Sequence, residues 1–216
     1  MNGEIDKTNQ IVALIKEAGN IVIMPSKVAG MDAFAASAGL YHMLKDENKN
    51  VTIIYNGLPP EDYGSVDGLD IASNSGQREL VISVDYSGTD ASKVNYSTEN
   101  DILRFTVSPV NRDFELSRIK SEVRGSEYDL IITMGAQASG DLGRAFDDVG
   151  GEFGKADVLN VDNTDKNQRF GSINVVDPSV ESLSLLILNL GLRWGFRVNQ
   201  KAAEALLKGI SKRKGI

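Results

Sequence analysis

Short apolar runs alternate with segments of helical period along this chain, and that rhythm narrows the fold before any single motif does. Residues 20–24 and 51–55 are apolar runs of strand length, and between them residues 33–45 repeat apolar side chains at helical spacing behind Asp32. A strand, a crossover helix and a second strand build a parallel pair with the helix packed on the sheet. The rhythm resumes later. Residues 128–134 and 156–161 read as strands, and residues 5–18, 113–123, 141–146, 180–194 and 200–208 read as helices. Gly19 stops the first helix, Ser179 is a plausible cap for the long apolar one and Asn199 for the last. Residues 57–63, rich in Gly and Pro, read as a turn. The predicted class is α/β: a parallel sheet flanked by helices on both faces.

The middle of the chain departs from this pattern. Residues 79–85, 91–97 and 102–108 are strand-like, and the segments 87–90 and 98–101 between them are too short for parallel crossovers. They predict an antiparallel β-hairpin extension at one sheet edge. Exposed hairpin edges carry unpaired backbone groups, which suits a homodimer or partner docking through 79–108, unless the hairpins form a covered local meander. No linker or repeat marks a boundary, so residues 1–216 read as one domain carrying a 79–108 insertion.

Composition removes several functions. The chain has no cysteine, which excludes disulfides, thiolate metal sites and a cysteine nucleophile. Its one histidine, His42, sits within a helical pattern and reads as packing or surface, so a Ser-His-Asp triad is not expected and a centre with several histidines is impossible. The net charge of −7 opposes broad nucleic-acid binding. Lys208, Lys212, Arg213 and Lys214 read as a solvated helix end. The N-terminus is polar and acidic, and the apolar run at 183–192 is too short to span a bilayer, so the expected location is cytoplasmic.

Three loops should meet at the carboxyl edge of the sheet: 25–32, 135–141 and 162–165. Ligands gather there in parallel α/β sheets. The candidate ligand-binding residues are Asp32, Gly135, Gln137, Asp162, Asn163 and Thr164. Two of the loops lead into helices, whose first N–H groups favour anions, and Gly135, Gly140 and Gly143 would admit close backbone approach. Asp32 and Asp162 form a candidate carboxylate pair. Alone they make a weak Mg²⁺ or Mn²⁺ site that substrate phosphates and water must complete. The alternative is that Asp32 caps its own helix and Asp162 caps a turn.

Four segments in order resemble the DHH phosphoesterase superfamily, in particular its oligoribonuclease and phosphoadenosine-phosphate phosphatase-like branch. Residues 20–45 look like that family's first strand, metal loop and helix, and 128–143 like its second metal strand. Residues 162–187 look like the signature strand with an Asn-Val-Asp-Pro-type segment (Asn174, Val175, Val176, Asp177, Pro178) and a Ser-rich helix start at Glu181-Ser182. Residues 202–210 look like the helix ending in a Gly-Ile motif. The resemblance implies a dimanganese centre of His, Asp, Asp, Asp, His and a final Asp. The corresponding positions here are Ser26, Gly30, Asp32, Gly135, the triplet Asp162-Asn163-Thr164, and a position near Arg213. Only Asp32 and Asp162 match, as vestigial metal candidates. The family's C-terminal substrate domain has no counterpart within the 216 residues.

These residues lead to one expectation and two alternatives. The expectation is a catalytically degenerate DHH-type domain, with no catalytic residue, metal or cofactor, that binds a nucleotide or phosphate or serves in assembly. One alternative is an active phosphoesterase on short oligonucleotides or nucleoside phosphates, with a reduced Mn²⁺ or Mg²⁺ site at Asp32 and Asp162 supported by helix termini and Lys27. The other is a homodimeric scaffold.

Overall fold

The computed structural model describes residues 2–55, 69–72, 79–88, 93–112, 114–124 and 127–213. In chain order the elements are α1 (Asn2–Glu17), β1 (Asn20–Pro25), α2 (Gly30–Asp46), β2 (Asn50–Ile54), β3 (Ile71–Ala72), β4 (Glu79–Val84), β5 (Lys93–Glu99), β6 (Ile102–Ser108), β7 (Ile119–Arg124), β8 (Leu130–Met134), α3 (Arg144–Val149), β9 (Asp157–Asp162), β10 (Ile173–Val176), α4 (Leu183–Arg193) and α5 (Gln200–Arg213). The chain divides into two compact units. One comprises Met1–Gln77 with Ser126–Ile216, and the other comprises Arg78–Gly125.

The larger unit holds a six-stranded, all-parallel sheet of order β10-β9-β8-β1-β2-β3. Successive side chains of a strand point to opposite faces, so each apolar strand feeds two cores. Ile21, Ile23, Ile132 and Val161 pack under α1, α2, α4 and α5, through Ile11 and Ile15, Leu40 and Leu44, Leu186 and Ile187, and Leu206. Val22, Met24, Ile131 and Val158 face the opposite way, onto Ala145 and Val149 of α3. Helices therefore cover both faces, as expected. The α2 helix is the centre of the first layer, and every residue from Ala33 to Leu44 is buried. Small residues make this possible: a Cβ on Gly39 would stand 2.5 Å from Leu206 Cγ of α5, and one on Gly191 of α4 would stand 2.5 Å from Met43 Sδ. Close helix approach at these points depends on the missing side chains.

In the smaller unit β5 and β6 form an antiparallel hairpin, Val94 opposite Val107 and Tyr96 opposite Phe105. The partner of β4, however, is β7, with Leu80 opposite Val123 and Val84 opposite Ile119. The expected helix at 113–123 is thus corrected to a 3-10 turn at Leu116–Arg118 followed by a strand. Ile119-Lys120-Ser121-Glu122-Val123 alternates with period two, and pairing with β4 decides between that period and the weaker helical one. Asp113, the expected helix start, lies outside the described residues, as does the expected turn at 57–63.

Three further boundaries differ. The α4 helix begins at Leu183, not at 180, and its cap is Ser182, whose Oγ accepts the Leu185 N–H at 3.1 Å. Ser179 is engaged elsewhere: its N–H and hydroxyl both donate to Asp177 Oδ1. The expected helix at 141–146 is interrupted by Gly143 at φ 56°, which separates a 3-10 turn at Ser139–Leu142 from α3. Asn199 caps α5 through the Ala202 N–H at 2.8 Å, but the helix runs on to Arg213. Two short strands, β3 and β10, lie at the sheet edges where the sequence reading gives none. Among the described residues no helix is long and apolar enough to cross a membrane.

Candidate functional site

The loops after β1, β8 and β9 leave the sheet at its carboxyl edge and enclose a cavity of about 390 Å³. Its lining includes Asp32, Gly135, Gln137, Asp162, Asn163 and Thr164, the six residues singled out from sequence. Val28 and Ala29 just ahead of α2, Met31 in its first turn, Leu183 of α4 and Gly209 of α5 complete the wall. Those last five are apolar or small side chains whose part in the lining depends on tertiary placement. Lys27 is exposed and is not among the lining residues. Gly140 and Gly143 are also absent from the lining and have open space where a Cβ would stand.

Asp32 does not cap its own helix. Ala29 occupies the N-cap of α2 and makes no side-chain cap bond. The Asp32 carboxylate instead reaches across to α4, where Oδ2 accepts the Leu183 N–H at 2.8 Å and Oδ1 accepts the Ser184 N–H at 3.0 Å and the Ser184 hydroxyl at 2.7 Å. A negative group satisfies the unpaired donors and the positive dipole end of a helix start. Asp32 is thus the anionic anchor of a neighbouring helix.

Asp162 ends β9 and is 2 % exposed. Its Oδ1 accepts the Asn163 N–H and its Oδ2 accepts the Asn167 side-chain amide, both at 2.8 Å. Burial pushes the Asp162 carboxyl above the ordinary range and the nearby Asp141 carboxylate adds to this, while the bonds from Asn167 and Asn163 oppose it. Asn163 and Thr164 are partly engaged: the Asn163 amide donates to Val180 O at 3.0 Å, and Thr164 Oγ1 accepts the Lys166 N–H at 3.3 Å.

A polar network lies beneath. Buried Asn160 accepts from Thr133 Oγ1 at 3.0 Å and donates to Asn167 Oδ1 at 2.9 Å and Asn174 Oδ1 at 3.3 Å. Asn167 also donates to Ala136 O at 2.8 Å. Asp141 Oδ2 holds the Gly135–Ala138 turn by accepting the Gln137 and Ala138 N–H groups at 2.9 and 3.1 Å. The sequence signal for this network is one polar residue inside each of two apolar strands, Thr133 in β8 and Asn160 in β9, which stand opposite each other in the sheet.

The donor set does not fit the dimanganese centre that the DHH resemblance implies. Ser26 is fully buried, its Oγ accepting the Val28 N–H at 3.1 Å and donating to Asp141 O at 3.4 Å. Gly30 and Gly135 supply no side-chain donor, and Asn163 stands where an imidazole is needed. Neutral hydroxyls and amides are poor substitutes for the carboxylates and imidazoles of a divalent pair. Among the described residues no three His, Asp or Glu side chains are grouped closely enough to hold a metal ion.

The fold has a counterpart among solved structures. An exopolyphosphatase-related protein from Bacteroides fragilis matches with a TM-score of 0.64 at 18 % sequence identity, over 97 % of this chain and 50 % of that one. The likeness is one of fold, and this chain spans about half the length of that protein. No family model matches the sequence. No curated protein matches it.

Proposed function

We propose that the chain is a DHH-type phosphoesterase domain, close to the oligoribonuclease and phosphoadenosine-phosphate phosphatase-like branch, that has lost its metal chemistry and uses the cleft to bind a nucleotide or another small phosphorylated ligand. The observation that carries the reading is the use of Asp32. Of the two acidic positions that survive, one is engaged by the start of α4 and the other is a single buried carboxyl. The fold shared with an exopolyphosphatase-related protein supports the phosphoesterase ancestry.

A cavity of about 390 Å³ is the size of a small-molecule site, and it opens at the sheet edge where α/β folds take their ligands. Gln137, Asn163 and Thr164 offer neutral donors. Burial raises the Asp162 pKa, so this carboxyl holds its negative charge less firmly than an exposed one. Calorimetry with AMP and with Mn²⁺ tests the reading. The expected result is saturable, metal-independent AMP binding that weakens in Gln137→Ala and Asn163→Ala, with no phosphate released. Stoichiometric micromolar Mn²⁺ binding would reject it. Mn²⁺-dependent hydrolysis abolished by Asp162→Asn would favour an active enzyme with a reduced site.

A second reading, assembly through the smaller unit, has its own observation. Val94, Tyr96, Leu103 and Phe105 share one face of the β5–β6 hairpin and are 70, 76, 52 and 52 % exposed, whereas the other face carries Lys93, Asn95, Ser97 and Arg104. A two-stranded ribbon with one bare apolar face is suited to cover by a second copy. Light scattering should then show a dimer that Tyr96→Glu converts to monomer. A strict monomer at high concentration removes this reading.

A further inference from the structure

A second cleft, of about 310 Å³, opens in the larger unit beside the edge strand β10 and shares no lining residue with the first cavity. Its apolar lining comes from Ile11 of α1, Val175 and Val176 of β10, Val180 ahead of α4, Leu186 and Leu190 within α4, and Trp194. Three cations line it as well: Lys7 of α1, Arg169 of the β9–β10 loop, and Arg193 in the last turn of α4. Asp177 is the one acidic residue of the lining, and its Oδ1 accepts the N–H and hydroxyl of Ser179. Three basic side chains against one acidic one make the lining basic, on a chain whose net charge is −7.

Two observations bear on the placing of Lys7 and Arg169. The Lys7 ammonium donates to the backbone carbonyl of Asn174 on β10. Burial lowers the Lys7 pKa, and the adjacent Arg169 guanidinium lowers it further. Like charges brought this close favour an anion between them. Arg169 itself sits at φ 53°, a left-handed backbone that non-glycine residues seldom adopt. It is fixed there by its N–H, which donates to Asn167 Oδ1 at 2.7 Å. Lys7 and Arg169 also line the adjoining groove, where Asp6, Ser172 and Asn174 join them.

We propose that this cleft is a binding site for an organic phosphate, its anionic group facing Lys7, Arg169 and Arg193 and its apolar part lying on the floor beside Trp194. Arginine and lysine supply charge-assisted bonds to phosphate oxygens, and the apolar lining selects against inorganic phosphate. The proposal does not rest on the function proposed for the first cavity, because the two sites share no residue.

Trp194 is the single tryptophan of the chain, so its fluorescence reports the cleft directly. Phenyl phosphate titrated into the full chain should change the Trp194 emission saturably, and inorganic phosphate should bind more weakly. Arg193→Gln and Lys7→Gln should each weaken phenyl phosphate by about tenfold or more. Arg193 is exposed, so its variant should keep the parent circular dichroism. Gln137→Ala, whose side chain belongs to the first cavity alone, should leave the titration unchanged. Three results would overturn the proposal: no saturable response at millimolar phenyl phosphate, equal affinity in the parent and both charge variants, or loss of binding in Gln137→Ala with none in Arg193→Gln.

Discussion

Asp32 Oδ1 receives both the backbone N–H and the hydroxyl of Ser184, a residue 152 positions further along the chain, and so ties the start of α4 to the first turn of α2. The same carboxylate takes the Leu183 N–H through Oδ2. Removing it leaves helix-start donors unpaired against a wall already closed by Gly135 and Leu183. Asp32→Ala is expected to lower stability by about 2–4 kcal/mol, and Asp32→Asn by less, because the amide keeps one acceptor. Urea unfolding measures this as a shifted midpoint at constant slope. A loss below about 0.5 kcal/mol, the range of an ordinary surface change, would show that the carboxylate is available for another role.

Gly135 stands between the two elements that Asp32 joins. Its φ is 68°, and a Cβ there would lie 2.6 Å from both Ala29 Cβ and Leu183 Cδ1. Backbone strain and overlap act together, so Gly135→Ala should destabilise by about 2–4 kcal/mol. Thermal unfolding checks this. Gly140→Ala is the control: that position has open space and no positive φ, and its midpoint should barely move.

The parallel sheet was readable because nearly continuous apolar runs have few alternatives to a strand buried on both faces. The first cavity was readable for the same reason: once β1, β8 and β9 are parallel neighbours, the residues after them must meet, whatever their chemistry. What escaped was set by partners distant in sequence. Asp32 looks like the cap of its own helix because a carboxylate in a first turn commonly acts locally, and nothing near it announces Ser184. The segment at 119–123 carries both periods, and only its pairing with β4 selects the strand. Lys7 and Arg169 are 162 positions apart by numbering and signal nothing until α1 lies over β10.

Asn167 is the buried junction between the two halves of the β9–β10 region. Its amide donates to Ala136 O and Asp162 Oδ2, and its oxygen accepts from Asn160 and from the Arg169 N–H. Asn167→Ala would take a partner from four polar groups, and a loss of about 2–4 kcal/mol is expected. Asn167→Asp keeps the acceptor but faces Asp162 with a second carboxyl, so its deficit should grow as pH rises and both ionise. Denaturation at several pH values separates the two variants: Asn167→Ala shifts the curve, and Asn167→Asp also tilts it.

Part of the acid limb of stability should belong to His42. This residue is 5 % exposed on α2, and among the described residues its Nε2 has no hydrogen-bond partner. Burial pushes its pKa below the ordinary 6.5 and Lys201 adds to this, while Asp46 opposes it. The unfolded chain therefore binds a proton more readily than the folded one. The stability tied to neutral His42 is present above pH 6.5 and falls as the pH drops toward the lowered folded value. Asp162 acts in the opposite sense. Its folded pKa is raised above 3.8, so its contribution is present below that value and is lost as the pH rises through the folded one. The two slopes partly cancel where their windows overlap. Asp162→Asn should therefore steepen the decline in unfolding free energy below pH 6.5. His42→Leu should flatten it and, by removing an orphaned buried nitrogen, should cost little at neutral pH. Unfolding free energies of parent and both variants across this range check the signs, and a parent-like decline in His42→Leu would assign the acid limb to other groups.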